Sequence, residues 1–206
     1  MAADLDLDPA DAPEREVYLL LTALVVPRAI AWISTLDTHG VPNLAPHSYF
    51  TIAANNPPHV VFSSSAVRDT LTNIRATGEF VVNVVSADLV EPMNLSSAEF
   101  PPGDDEFVRA GLTTAPSVRV GAPRVAEARA HLECRAVQEL AVGDSHLVIG
   151  EVVHIHVAGS VIADARVSPQ LLDPIARLSG SGYTPLGDVF RMPRPTWPGD
   201  FTREDG

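Results

Sequence analysis

Three consecutive serines, Ser63, Ser64 and Ser65, stand just ahead of Arg68-Asp69-Thr70, where a helical apolar period begins. A helix N-terminus presents free N–H groups and the positive end of the macrodipole, so anions favour it. Ser63, Ser65, Arg68 and Thr70 are therefore candidates to hold a phosphate, with the Arg68 guanidinium offering a planar fork. Asp69 would repel a phosphate that it faced and is expected to cap the helix instead. The same residues read alternatively as a polar loop with a second cap. A second group lies upstream. Trp32, Ser34 and Thr35 precede the turn Asp37-Thr38-His39-Gly40, while Asn43, Ala45, Pro46, Ser48 and Tyr49 follow it. Pairing across that hairpin would bring the two sets together. Small residues around the pleat-breaking Pro46 would let the backbone approach a flat ligand closely, or they mark an irregular edge strand.

Other chemistries are excluded or weakly supported. All 14 basic residues are arginine and none is lysine, which rules out Schiff-base chemistry and a lysine-dependent phosphate loop. His154 and His156 alternate on one strand, as do His131 and Glu133, but no cysteine partner or HExxH spacing accompanies them, so no metal site is expected. Ser179-Gly180-Ser181-Gly182 lacks the glycine two residues before the serine that a nucleophile elbow needs. The single cysteine, Cys134, sits in an alternating apolar segment and reads as a buried thiol.

The elements that must position the two groups are mostly strands. Ala29–Leu36 and Val41–Phe50 form the hairpin arms, the second suited to an edge because of Pro42 and Pro46. His59–Ser63 follows as a short strand. Asp69–Thr77 reads as a helix, with Leu71 and Ile74 on one face and Gly78 at its end. Phe80–Val85 is a buried strand by its β-branched content. Ala87–Ser97 reads as a helix disturbed by Pro92, and Phe100–Ala122 as an irregular loop of the kind that covers sites. His131–Leu140 and His146–Val157 are long strands separated by Ala141–Ser145. The second is apolar on both faces, which suits a closed barrel or a strand under a dimer interface. The fold class is therefore mainly β: a barrel with accessory helices.

The chain has 206 residues, 46% hydrophobic and 19% charged, which is globular rather than disordered. Its net charge of -12 argues against nucleic acid and anionic membranes as partners. No stretch approaches the ~20 apolar residues that span a bilayer. Residues 1–16 are acidic and read as a flexible tail without the positive start of a secretory signal, so a cytoplasmic protein is expected. Residues 191–206 read as an irregular Pro-rich tail, leaving 17–190 as the domain.

The order Arg-x-Ile-Ala-Trp-x-Ser-Thr from Arg28, Gly-x-x-Asn-x-Ala-Pro-x-Ser-x-Phe from Gly40, Pro57-Pro58, Asp69-Thr70-x-x-Asn73-Ile74 and Gly78-Glu79-Phe80-Val81-Val82-Asn83 closely resembles the flavin reductase-like, FMN-binding split-barrel family. The likeness continues through Leu132-Glu133-Cys134, Asp144-Ser145-His146, Ile149–Val153 and Ala176–Tyr183. It implies a six-stranded antiparallel Greek-key split barrel, a homodimer, and FMN (or FAD) near the subunit interface. It also implies NAD(P)H as hydride donor and, in some members, a monooxygenase partner. By position, Trp32, Ser34, Thr35, Asn43, Ser48 and Tyr49 would line the flavin, and Ser63, Ser65, Arg68 and Thr70 would hold its phosphate end. Asn83 would support the barrel or the ribityl chain. His146, the tentative catalytic candidate beside the nicotinamide or flavin, and Arg177 would form a second wall, from either subunit. One departure is Ser179, where the family usually has glycine; its Cβ narrows backbone approach there. Two other readings remain open: a non-enzymatic flavin-binding electron carrier reduced by a partner protein, and a flavin-free barrel acting as an interaction module.

Overall fold

The computed structural model describes residues 4–101 and 103–195. The sequence-expected tails at 1–16 and 191–206 lie partly outside these residues. Seven strands make one antiparallel sheet: β1 (Ala31–Leu36), β2 (Pro42–His47), β3 (Phe50–Asn55), β4 (Pro58–Ser64), β5 (Glu79–Val84), β6 (Ala130–Val142) and β7 (Ser145–Val157). Their order is β2-β1-β5-β6-β7-β4-β3. The two edge strands are neighbours in the chain, joined through Ser48 and Tyr49. At that corner the Ser63 N–H donates to the Tyr49 carbonyl at 2.8 Å, which extends the β3–β4 pairing back toward the end of β2. This is a split barrel, with one strand more than the six expected. The extra one is β3, which lies almost wholly past the end of the expected hairpin arm at Phe50, in residues given no element from the sequence.

The described residues also form five α-helices: α1 (Glu14–Leu24), α2 (Asp69–Thr77), α3 (Val90–Leu95), α4 (Glu106–Arg109) and α5 (Pro169–Leu172). α1 was not anticipated and occupies the end of the acidic segment together with the apolar run after it. α2 ends where expected, at Gly78, whose φ of 73° is the left-handed conformation glycine tolerates. Its start differs from expectation. Arg68 is the N-cap, with no side-chain capping bond, and Asp69 is the first helical residue. There a carboxylate is favoured by the dipole without capping anything. The helix expected at Ala87–Ser97 is a 3₁₀ turn at Ala87–Leu89 followed by the short α3. The strand expected from Ala29 is broken at Ile30. Arg28–Ala29 leaves the barrel and pairs instead with Ala176–Arg177, which in turn pairs with Tyr183–Thr184.

Two apolar clusters hold these layers, and the two-residue period of β1 divides it between them. Ala31 and Ile33 join Phe62, Phe80, Val82, Cys134, Leu71 and Ile74 beneath α2. Phe62 and Phe80 meet edge to face at 5.5 Å. Trp32 points the other way, into a cluster with Leu44, Val85, Met93, Phe107 and Val125. Gly150 on β7 lies where a register shift occurs and where Phe80 approaches closely; a Cβ there would sit 2.7 Å from Phe80 Cε1.

Candidate functional site

β1 is buried on both faces, so none of its sequence-predicted residues is accessible. Trp32 is fully buried and donates its Nε1–H to Ser96 Oγ at 2.9 Å. Ser34 is also fully buried; its hydroxyl donates to the Pro123 carbonyl and accepts from Asn83 Nδ2 at 3.0 Å. Asn83 further accepts from the Val125 N–H at 2.8 Å, so this pair ties the barrel wall to the segment around 123–125. Thr35 is buried behind the wall as well. Trp32, Ser34 and Thr35 therefore do not line a cavity; they brace one.

The cavity has a volume of about 1180 Å³. One wall is the end of β4 with the start of α2, where Ser63, Ser64, Ser65, Arg68 and Thr70 face in, together with Asp69, the carboxylate expected to turn away as a cap. Because no side chain caps α2, its first N–H groups remain available to a ligand. Arg68 is engaged with Glu99 at 2.6 Å, but both side chains are mostly in solvent, so the pair is a weak tie. A second wall carries Asn43, Ser48 and Tyr49. A third is built by α1, Arg28, and the returning segment with Arg177, Gly180 and Tyr183.

A buried hydrogen-bond chain fixes the polar centre of the second wall. Asn73 Nδ2 donates to Thr35 Oγ1 at 3.0 Å, Thr35 donates on to Asn43 Oδ1 at 3.4 Å, and Thr70 donates to the same Oδ1 at 3.0 Å. With its oxygen so engaged, Asn43 turns Nδ2 toward Glu106 Oε1 at 3.0 Å. Glu106 Oε2 accepts from the Leu44 N–H at 3.2 Å. Burial pushes the Glu106 carboxyl up from its usual value, opposed by these hydrogen bonds. The amide of Asn43 is thereby held in one orientation.

Three residues of the site carried no clear signal in the sequence. Glu106 lies in a loop rich in Pro, Gly and Asp. His47, between Pro46 and Ser48, lines the cavity with its ring 4.9 Å from that of Phe62. Its Nε2 is buried without a partner, and desolvation pushes the imidazole down to about 4. Arg28, which follows Pro27, is 9% exposed and donates to the carbonyls of Thr22, Val25 and Leu178.

His146 stands elsewhere. Its neighbours Asp144 and Ser145 reach the cavity, but its own Nδ1 lies 2.8 Å from Glu139 Oε1. That carboxylate also accepts from Arg75, at 2.9 and 2.6 Å, and is held down at about 2 chiefly by those bonds. Of the histidines weighed for a metal, His131 and His156 approach Nδ1 to Nδ1 at 3.1 Å, and His131 Nε2 donates to the Val125 carbonyl. Among the described residues no helix is long and apolar enough to cross a membrane.

An uncapped helix start beside three serines and an arginine fits a phosphate monoester, and the pre-oriented Asn43 amide fits the polar edge of a heterocycle. Comparison with known proteins agrees with that fit. The profile of the flavin reductase like domain matches residues 23–172. An uncharacterised protein of Halalkalibacterium halodurans is 36% identical over 203 residues, covering 93% of this chain and 97% of its own. The crystal structure of nitrilotriacetate monooxygenase component B from Bacillus cereus superposes with a TM-score of 0.88 at 35% identity, covering 93% of this chain and 100% of that one. A 2-nitrobenzoate 2-nitroreductase from Pseudomonas fluorescens superposes at 0.87 with 30% identity, over 94% of this chain and 98% of that one. With a profile match running from the last turn of α1 through all seven strands, the chain belongs to the flavin reductase-like family.

Proposed function

We propose that this protein is an FMN-dependent oxidoreductase that takes hydride from NADH or NADPH and passes reducing equivalents on as reduced flavin. The observation that carries the reading is one cavity holding both an open helix start lined by hydroxyls and a hydrogen-bonding edge fixed by its own buried network. Ser63, Ser65 and Thr70 would surround the phosphate with α2, and Arg68 would supply the charge by exchanging Glu99 for it. Asn43, Ser48 and Tyr49 would take the polar edge of the ring system. Trp32, Ser34 and Thr35 keep those residues in place from behind. Bound flavin would supply the hydride-accepting chemistry; the chain supplies position, a water-poor slot and electrostatics. His146, tied to Glu139, has no part in this assignment.

A homodimer belongs to the same reading. Large apolar side chains are left exposed on α1 (Tyr18, Leu21 and Leu24) and on the β6–β7 arm (Val137, Leu140 and Val142), more than a lone chain this acidic is expected to leave in water. Similarity to a monooxygenase component supports an oxygenase as the acceptor of the reduced flavin.

The test is spectroscopic. Purified protein mixed with FMN and passed through a desalting column should retain the flavin absorbance, and anaerobic NADH or NADPH should bleach it. Retained flavin that neither nucleotide bleaches would leave an electron carrier reduced by another protein. Failure to retain FMN or FAD would remove the flavin assignment altogether.

A further inference from the structure

Arg28 and Arg177 are directly opposed partners in the short antiparallel ladder outside the barrel. Directly opposed residues leave a ladder on the same face, where like charges destabilise the pairing. Both side chains line the cavity. Among the described residues neither has a carboxylate within the 4.0 Å of an ion pair.

Their fixed donors do not cancel this charge. Arg28 gives Nη1 to the Thr22 and Val25 carbonyls at 2.7 and 2.9 Å, and Nη2 to the Leu178 carbonyl at 2.8 Å. The first two carbonyls belong to the end of α1, whose negative dipole end favours a cation, and the three together hold the guanidinium in place, yet its Nε remains buried with no partner. Arg177 lies flat over Tyr183, with Cζ 4.4 Å from the ring centroid, and spends one Nη on the Gly180 carbonyl. Arg28 is buried and Arg177 half-buried, and a buried charge is costly until an opposite one meets it. Two pre-oriented arginines in one wall are thus a site waiting for an anion.

We propose that Arg28 and Arg177 form an anion subsite for the diphosphate of the nucleotide that supplies the electrons, separate from the serine wall that takes the flavin's phosphate. This rests on the flavin reading above. Two features favour a second ligand over the flavin itself. The flavin's single phosphate already has hydroxyls, Arg68 and a helix start. The cavity, about 1180 Å³, also exceeds the ~300–1,000 Å³ of an ordinary one-ligand pocket.

The experiment is calorimetric titration of the FMN-saturated protein with ADP, which carries a diphosphate and no redox chemistry, and with adenosine as the uncharged control. ADP should bind once per chain and adenosine far more weakly. Arg177→Gln should weaken ADP by about tenfold or more while FMN affinity stays within about threefold, and Arg177→Lys should recover part of the loss. Arg28→Gln should weaken ADP likewise, but it removes three carbonyl bonds and could unfold α1, so Arg177→Gln is the deciding variant. Equal ADP binding by wild type and Arg177→Gln overturns the proposal, as does adenosine matching ADP. Loss of FMN rather than ADP in Arg177→Gln also overturns it and moves the flavin's phosphate to the arginines. A protein that refuses FMN yet binds ADP through Arg177 would sink the flavin reading and leave the arginine subsite standing.

Discussion

Replacing His47 by leucine should flatten the acid side of the stability curve. The imidazole is half-buried against Phe62, its Nε2 has no partner, and its pKa falls from 6.5 to about 4. Because the folded state resists protonation, the unfolded state binds the extra proton at mildly acid pH. Stability is therefore untouched above the unfolded value and is lost as pH falls from there toward the folded value. A group moved from 6.5 to about 4 forfeits about 2 kcal/mol between roughly pH 7 and roughly pH 5, an average of about 1 kcal/mol per pH unit that steepens toward the acid end. One edge of the ring borders the cavity, so water there makes this figure a ceiling. His131, 2% exposed and also pushed down to about 4 by burial, adds a similar loss that the substitution leaves in place. Urea unfolding of wild type and His47→Leu at both pH values isolates the His47 share. The variant should gain on wild type by up to about 2 kcal/mol as the pH is lowered. Parallel curves would refute the reasoning, because they would mean that the ring is solvated or already protonated in the native protein.

Glu99→Gln should free Arg68 and tighten FMN binding by at most about fivefold, since an exposed pair is worth about 1 kcal/mol or less; fluorescence titration measures it. Gly150→Ala should cost about 1–3 kcal/mol in urea unfolding, because the new Cβ meets Phe80 and Cys134 in a closed part of the barrel. Cys134 is fully buried, and burial pushes its thiol up, so a thiol-reactive disulfide reagent should label it only after the protein unfolds.

Where local chemistry and burial agree, the sequence is readable. α2 was legible because Leu71 and Ile74 repeat on one face and Gly78 can take a positive φ. The long β6–β7 pair was legible from its alternation and the turn at Gly143. β3 was not, because almost all of it is exposed and no apolar face announces it. α1 carries no side-chain cap at its start. In the site, a period of two residues shows that Trp32 and Ser34 share a face of β1, but not that the cavity lies elsewhere. Ser63, Ser65, Arg68 and Thr70 were visible together because they are close in sequence. Glu106 reaches the cavity only through a long-range return of the chain, which no local pattern encodes, and Arg177 was named only because the Ala176–Tyr183 segment resembles the family. Asn43 was visible, but the reason its amide has one orientation was not, since that depends on Glu106.

The strand formed by Arg28–Ala29 has a practical consequence. It is clasped by residues 176–184, beyond the point where the family profile stops at 172. A gene trimmed to the profile would keep every barrel strand and both apolar clusters almost whole, so the product would still melt cooperatively. It would lack almost all of α1 as well as Arg177, Gly180 and Tyr183, and Arg28 would lose the Thr22 and Leu178 carbonyls that steady it. Such a fragment would pass every check of folding while having one side of its binding chamber missing, and a negative ligand screen on it would say nothing about the whole protein.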